Sequence, residues 1–66
     1  MKKITLPLKK SSKSYAILSA IAAGKYKHAF ADNYLLNRLH AARLWFWEEG
    51  SRSATARGKT ELRRAV

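Results

Sequence analysis

The sequence predicts a mainly α fold, a small domain of three to four helices. Three observations carry that expectation. Apolar residues recur at helical spacing in the middle of the chain, where Leu35, Leu39, Ala42 and Phe46 share one narrow stripe at about 100° per residue. Residues that start and stop helices bracket the candidate segments, from Ser11, Ser12 or Ser14 to Gly24, and from Asp32 or Asn33 to Gly50. A chain of 66 residues is one domain at most. It buries only about 60% of the surface its unfolded form exposes, and it has no cysteine to staple it. Tight packing of its aromatic residues, self-association or a partner remain as routes to stability, and two Trp, three Tyr and two Phe favour a real core over disorder.

The elements follow in order. Met1 to Lys10 alternates, with Ile4, Leu6 and Leu8 on one face of an extended segment and Lys3, Thr5 and Pro7 on the other. Pro7 cannot donate to a ladder, so residues 1–13 read as a short edge strand or a loose basic arm, ahead of a domain over residues 14–66. A helix runs through YAILSAIAA, with Leu18, Ile21 and Ala22 as its core-facing stripe and Gly24 as its stop. This region imitates a secretory leader, but the apolar run is short and Ser19 interrupts it. No stretch reaches the roughly 18 apolar residues of a membrane-spanning helix, and a cytoplasmic protein is the expectation. In Lys25 to Ala31, Tyr26, Ala29 and Phe30 have the spacing of one or two helical turns.

Asp32 to Gly50, DNYLLNRLHAARLWFWEEG, reads as one helix that organises the rest. Leu36 and Trp47 widen its apolar stripe, Arg38 and Arg43 flank it, and Asn37, His40 and Ala41 lie towards the far side. Leu44 falls opposite the stripe and Trp45 to one side, so these two are candidates for a partner interface. An unbroken helix from Lys27 to Glu49 is the rival. Beyond Gly50, Ser51 to Ala54 is a tight turn or a very short strand. Thr55 caps a last helix from Ala56 to Ala65, with Leu62 and Val66 as anchors and Gly58 in the first turn. Helix, stop, short helix, turn and long helix is the order of a helix-turn-helix.

Charge is the second constraint. Fourteen Lys and Arg against four acids give +10 and a pI near 10.6, an excess that points to polyanions, nucleic acid first. Residues 1–33 hold all but one of the lysines, and every arginine lies beyond Asn33. The planar guanidinium suits phosphates and guanine edges, so specific contacts are expected in the second half of the chain.

Catalysis is not expected. His28 and His40 are far apart and lack an acidic neighbour, adjacent Glu48 and Glu49 diverge on a helix, and three isolated glycines make no phosphate loop. Two histidines with four scattered acids supply no convergent metal ligands. No cofactor or small-molecule substrate is expected.

WEEG (Trp47 to Gly50) and ATARGKTEL (Ala54 to Leu62) resemble the end of the recognition helix and the opening of the next helix in MarR-type and related phage and bacterial regulators. Thr55 and Gly58 match in register. Ala54 departs from the larger apolar residue of that family, and no Asp-x-Arg wing tip is present. The resemblance implies a winged helix-turn-helix that regulates transcription by binding duplex DNA. Its major-groove helix would run from Tyr34 to Glu49 with Tyr34, Asn37, Arg38 and Ala41 nearest the bases. Arg43, Arg52, Arg57, Lys59, Arg63 and Arg64 complete the expected DNA contacts. A homodimer is expected by analogy with symmetric DNA readers. The alternative is a small virus-encoded inhibitor or adaptor that binds an anionic surface of a host protein or complex through the same charge plus Leu44 and Trp45. Attachment to a membrane through the lysine-rich start is the weakest reading.

Overall fold

The computed structural model describes residues 4–66. Three helices and one two-stranded antiparallel sheet make up the fold: α1 (Lys13–Ala22), α2 (Asn33–Ala41), β1 (Trp45–Glu48), β2 (Ser51–Ala54) and α3 (Ala56–Arg64), with a 3-10 turn at Phe30–Asp32 before α2. The three helices are as expected in number, and the hairpin between α2 and α3 makes this a small domain of α and β together.

α1 starts where Ser12 accepts a hydrogen bond from the Tyr15 N–H at 3.1 Å while its own hydroxyl donates to the Lys9 carbonyl at 2.6 Å. It ends in a left-handed Gly24 (φ +71°), with Gly24 N–H donating to Ile21 and Lys25 N–H to Ala20, which satisfies the last free carbonyls. Its buried face is Ile17, Leu18 and Ile21; Ala22, expected on that face, is exposed. The expected helical turns over Lys25 to Ala31 do not form, since residues 25–29 are irregular and Phe30 opens the 3-10 turn with its ring 86% exposed. Hence α1 and α2 are not joined by a tight turn.

The long helix expected from Asp32 to Gly50, like its rival from Lys27 to Glu49, stops after Ala41. The stop is the same motif that ends α1. Arg43 takes a left-handed conformation (φ +60°), its N–H donates to His40, and Leu44 N–H donates to Leu39. Trp45 to Glu48 then turn into a strand, as a run of aromatic residues favours. The ladder pairs Trp45 with Ala54, Phe46 with Ser53, Trp47 with Arg52 and Glu48 with Ser51. Glu49 (φ +50°) and Gly50 (φ +81°) form the connecting two-residue turn, whose positive φ at both positions matches the twist of the strands. Gly50 is left-handed as expected, but it turns a hairpin and caps no helix.

Thr55 caps α3 by accepting from the Gly58 N–H at 2.9 Å, and its hydroxyl donates to the Arg43 carbonyl at 2.6 Å, tying α3 to the turn after α2. Gly58 is buried against the Leu44 backbone, and a Cβ there would collide with the Leu44 carbonyl. The chain end pairs with the start: Val66 N–H donates to Leu8 and Lys10 N–H to Val66. Ala65 is buried there, whereas Val66, expected as an anchor, is 71% exposed.

Met1 to Lys3 of the expected arm lie outside the described residues. Residues 4–12 are neither a strand nor a loose arm, because Leu8 is buried in the core and Ile4 and Leu6 pack against it. The expected face of Ile4, Leu6 and Leu8 is the one that turns inward, with Thr5 and Pro7 exposed. The core comprises Leu8, Ile17, Leu18, Ile21, Leu36, Leu39, Leu44, Trp45, Ala54 and Ala65. Phe46 and Trp47, expected on the buried stripe, keep 38% and 54% of their surface exposed.

Candidate nucleic-acid interface

Two surfaces gather the candidate side chains. The first is the outer face of α2. With Leu36 and Leu39 holding the opposite side in the core, Tyr34, Asn37 and Ala41 are exposed at i, i+3 and i+7, which is one line along a helix. Arg38 is half-buried beside them, its guanidinium carbon 5.4 Å from the Tyr34 ring centroid and its Nη1 3.5 Å from the Tyr34 hydroxyl. Arg38 also lines a shallow depression of about 320 Å³ with Thr5, Pro7, Lys9, Ser12 and Ser14. Arg43 is exposed at the turn that ends α2.

The second surface is a groove of about 650 Å³ between the C-terminal end of α1 and the hairpin. Arg52 and Lys59 line it from β2 and α3, Tyr26 and His28 from the segment after α1, and Phe46, Trp47 and Glu48 from β1. Arg52 is stacked among aromatic rings, with its guanidinium carbon 4.4 Å from the Trp47 centroid, 5.0 Å from Trp45 and 5.7 Å from Tyr26. Trp45 meets Trp47 edge-on at 5.3 Å and His40 at 4.6 Å, and its indole N–H donates to the Leu36 carbonyl at 2.9 Å. That buried bond fixes the ring on which the others rest.

A polar chain holds the Tyr26 wall. The Tyr26 hydroxyl donates to Asp32 Oδ2 at 2.9 Å, and Lys13 Nζ lies 3.3 Å from Asp32 Oδ1. Burial, then the hydrogen bond to the Asp32 carboxylate, pushes the Tyr26 hydroxyl above its usual pKa. The Tyr26 hydrogen bond holds the Asp32 carboxyl below its usual value; Lys13 adds to this and desolvation opposes it. His28 Nε2 sits 2.6 Å from Asn33 Oδ1, which steadies the rim of the groove.

The expected contact residues thus separate. Tyr34, Asn37, Arg38 and Ala41 share α2, with Arg43 at its end, whereas Arg52 and Lys59 belong to the groove. Arg57, Arg63 and Arg64 are exposed on α3 and line neither surface. Leu44 and Trp45, expected to face a partner, are instead 0% and 4% exposed in the chain's own core. The expectation failed because it placed them on a helix, whereas the turn at Arg43 redirects the chain inward. Sequence reasoning missed Tyr26, His28 and Trp47 as members of one site. The available signal was Glu49–Gly50 as a turn pair, which sets Trp47 opposite Arg52.

Among the described residues no helix is long and apolar enough to cross a membrane, and no group of three or more His, Cys, Asp or Glu is placed to hold a metal ion. No family model, curated protein or solved structure matches this chain.

Proposed function

We propose that the chain is a small basic DNA-binding protein, a regulator or accessory factor that acts in the cytoplasm by contact alone and lays α2 into the major groove of a duplex. The observation that carries this reading is the exposed line Tyr34, Asn37 and Ala41, with Arg38 packed on Tyr34 and Arg43 just beyond. An asparagine on such a line can bond both N6 and N7 of adenine, and Arg38 and Arg43 can take phosphates or guanine edges. α2 has 9 residues, and a helix is about 10–12 Å across with its side chains, which suits a groove about 12 Å wide. A net charge of +10 supplies the long-range attraction.

A hairpin directly after the helix is also the element order of a winged helix-turn-helix. The tip of this hairpin carries Glu48 and Glu49, which phosphate repels, so the tip makes no DNA contact in this arrangement.

The test is duplex binding across a salt series. Each neutralised phosphate contributes about −0.9 to the log–log slope. Absence of binding at low salt, or a flat response, ends the proposal. The alternative, docking on an anionic protein surface, is left without Leu44 and Trp45 as anchors and retains the charge alone. Pull-down after nuclease treatment separates the two, and sedimentation with and without duplex tests for a homodimer.

A further inference from the structure

We infer that the groove between α1 and the hairpin is a separate single-strand site. It takes an unpaired nucleotide with its base on Trp47 and its phosphate on Arg52 and Lys59.

Arg52 is the starting point. Its guanidinium is stacked among Trp47, Trp45 and Tyr26, yet among the described residues no acceptor takes its N–H groups and no acid pairs with it. Its Nε is shut off from solvent and unbonded. The buried Nε cannot reach a ligand, so the terminal Nη groups of this fixed, planar cation are the donors left to meet a planar or tetrahedral anion. Trp47 keeps 54% of its surface open, and Lys59 lines the same groove from α3. An open indole beside a fixed guanidinium and a second, exposed cation is a combination that binds single strands, since every base has a face to stack and a phosphate next to it.

The groove volume, about 650 Å³, falls in the range of roughly 300–1,000 Å³ that ligand pockets span. A duplex keeps its base faces inside the stack and cannot offer one to Trp47. An acidic peptide would satisfy the cations but bring no ring to the indole. Glu48 at the rim disfavours a second phosphate near the hairpin tip, so the strand is expected to run from Trp47 towards Lys59.

No residue of α2 lines this groove, so the inference does not rest on the duplex reading. Its test is titration of the full chain at low salt with short oligo-dT and oligo-rU, following tryptophan fluorescence. Stacking should quench Trp47 with at least one strand, the two arms telling DNA from RNA. Trp47→Leu should weaken binding about 5- to 150-fold, the range expected when one base–aromatic stack is removed, while Trp45 emission reports that the fold survives. Lys59→Glu, at an exposed helical position, should reduce the salt slope by about 0.7 for each phosphate no longer neutralised, and carries the test if Trp47→Leu fails to fold. Strand binding that persists when duplex binding is absent still supports the groove and sinks the α2 reading alone. Three results overturn the inference: no strand binding, binding unchanged in both variants, or displacement by poly-glutamate as readily as by competing strand.

Discussion

Trp47 and Arg52 stand opposite each other across the β1–β2 ladder, with the guanidinium carbon 4.4 Å from the indole centroid. An isolated two-stranded hairpin is marginal in water, so the sheet depends on packing against the helices. This pair and its neighbours Trp45 and Tyr26 add to that packing, beside Leu44 and Ala54 in the core. Arg52→Ala should lower stability by about 1–2 kcal/mol, the range of partly desolvated cation–π contact. Arg52→Lys should recover only a minor share, because an ammonium cannot lie flat among the rings. Urea unfolding of the three proteins measures both, and equal stability of Arg52→Ala and the parent would show that the stack contributes nothing.

Gly58 reverses the usual rule for helical glycines. Replacing a helical glycine by alanine normally stabilises by about 1 kcal/mol. Here the added Cβ meets the Leu44 carbonyl, a backbone atom that cannot swing away. Gly58→Ala should therefore destabilise by about 1–3 kcal/mol, as overpacking does, at about 4–8 °C of melting temperature per kcal/mol for so small a domain. An unchanged or raised melting temperature would mean that α3 slides on Leu44 freely.

Much of this fold is legible in the sequence, and the failures have a common cause. Ser12, Gly24 and Thr55 mark helix ends through local chemistry, so α1 and α3 are readable to within a residue or two. The end of α2 is not, because the left-handed position there is filled by Arg43, which carries no stop signal. The misfit of Leu44 and Trp45 to the apolar stripe is the trace of that stop, and reading it as a partner surface misses the turn. The exposed line on α2 is legible because it follows from where Leu36 and Leu39 are buried. The groove is not, since Tyr26 meets Arg52 through tertiary packing that no local pattern encodes.

Arg43 combines a conformational cost with an exposed charge. An L-residue in the left-handed region costs roughly 1–2 kcal/mol, of which glycine returns part, since it adds freedom to the unfolded chain worth about 0.4–1 kcal/mol. Arg43→Gly should then stabilise slightly, by less than about 1 kcal/mol, while reducing the magnitude of the duplex salt slope by about 0.9 if Arg43 holds one phosphate. Stability and binding moving in the same direction would contradict the assignment.

Acid should loosen the domain through Asp32. Its carboxyl is held below the ordinary range by the Tyr26 hydroxyl and Lys13, so the folded state binds this proton less readily than the unfolded chain does. The stabilisation is present above the unfolded carboxyl value of about 3.9 and is lost as pH falls through the lower folded value. Asp32→Asn removes the charge at every pH, so the gap in melting temperature between it and the parent should be wide at pH 7 and narrow as pH drops below about 3.9. A gap that stays constant across this range would show that the carboxylate contributes no pH-linked stability.

Asn37 separates sequence reading from charge attraction. It is exposed on the face of α2 opposite the buried Leu36 and Leu39, and its amide has no protein partner among the described residues. If its amide reads a base edge, Asn37→Ala should cost about 1–3 kcal/mol on a preferred duplex, roughly 5- to 150-fold in affinity, and leave the salt slope as it was because every neutralised phosphate stays neutralised. Arg38→Ala differs, since it removes a cation and its packing on Tyr34, and should flatten the slope as well. Competition between a selected duplex and bulk duplex, measured for both variants, distinguishes them. Should Asn37→Ala bind every duplex as the parent does, α2 carries no sequence reading, and any duplex binding that remains is attraction of a polycation for a polyanion.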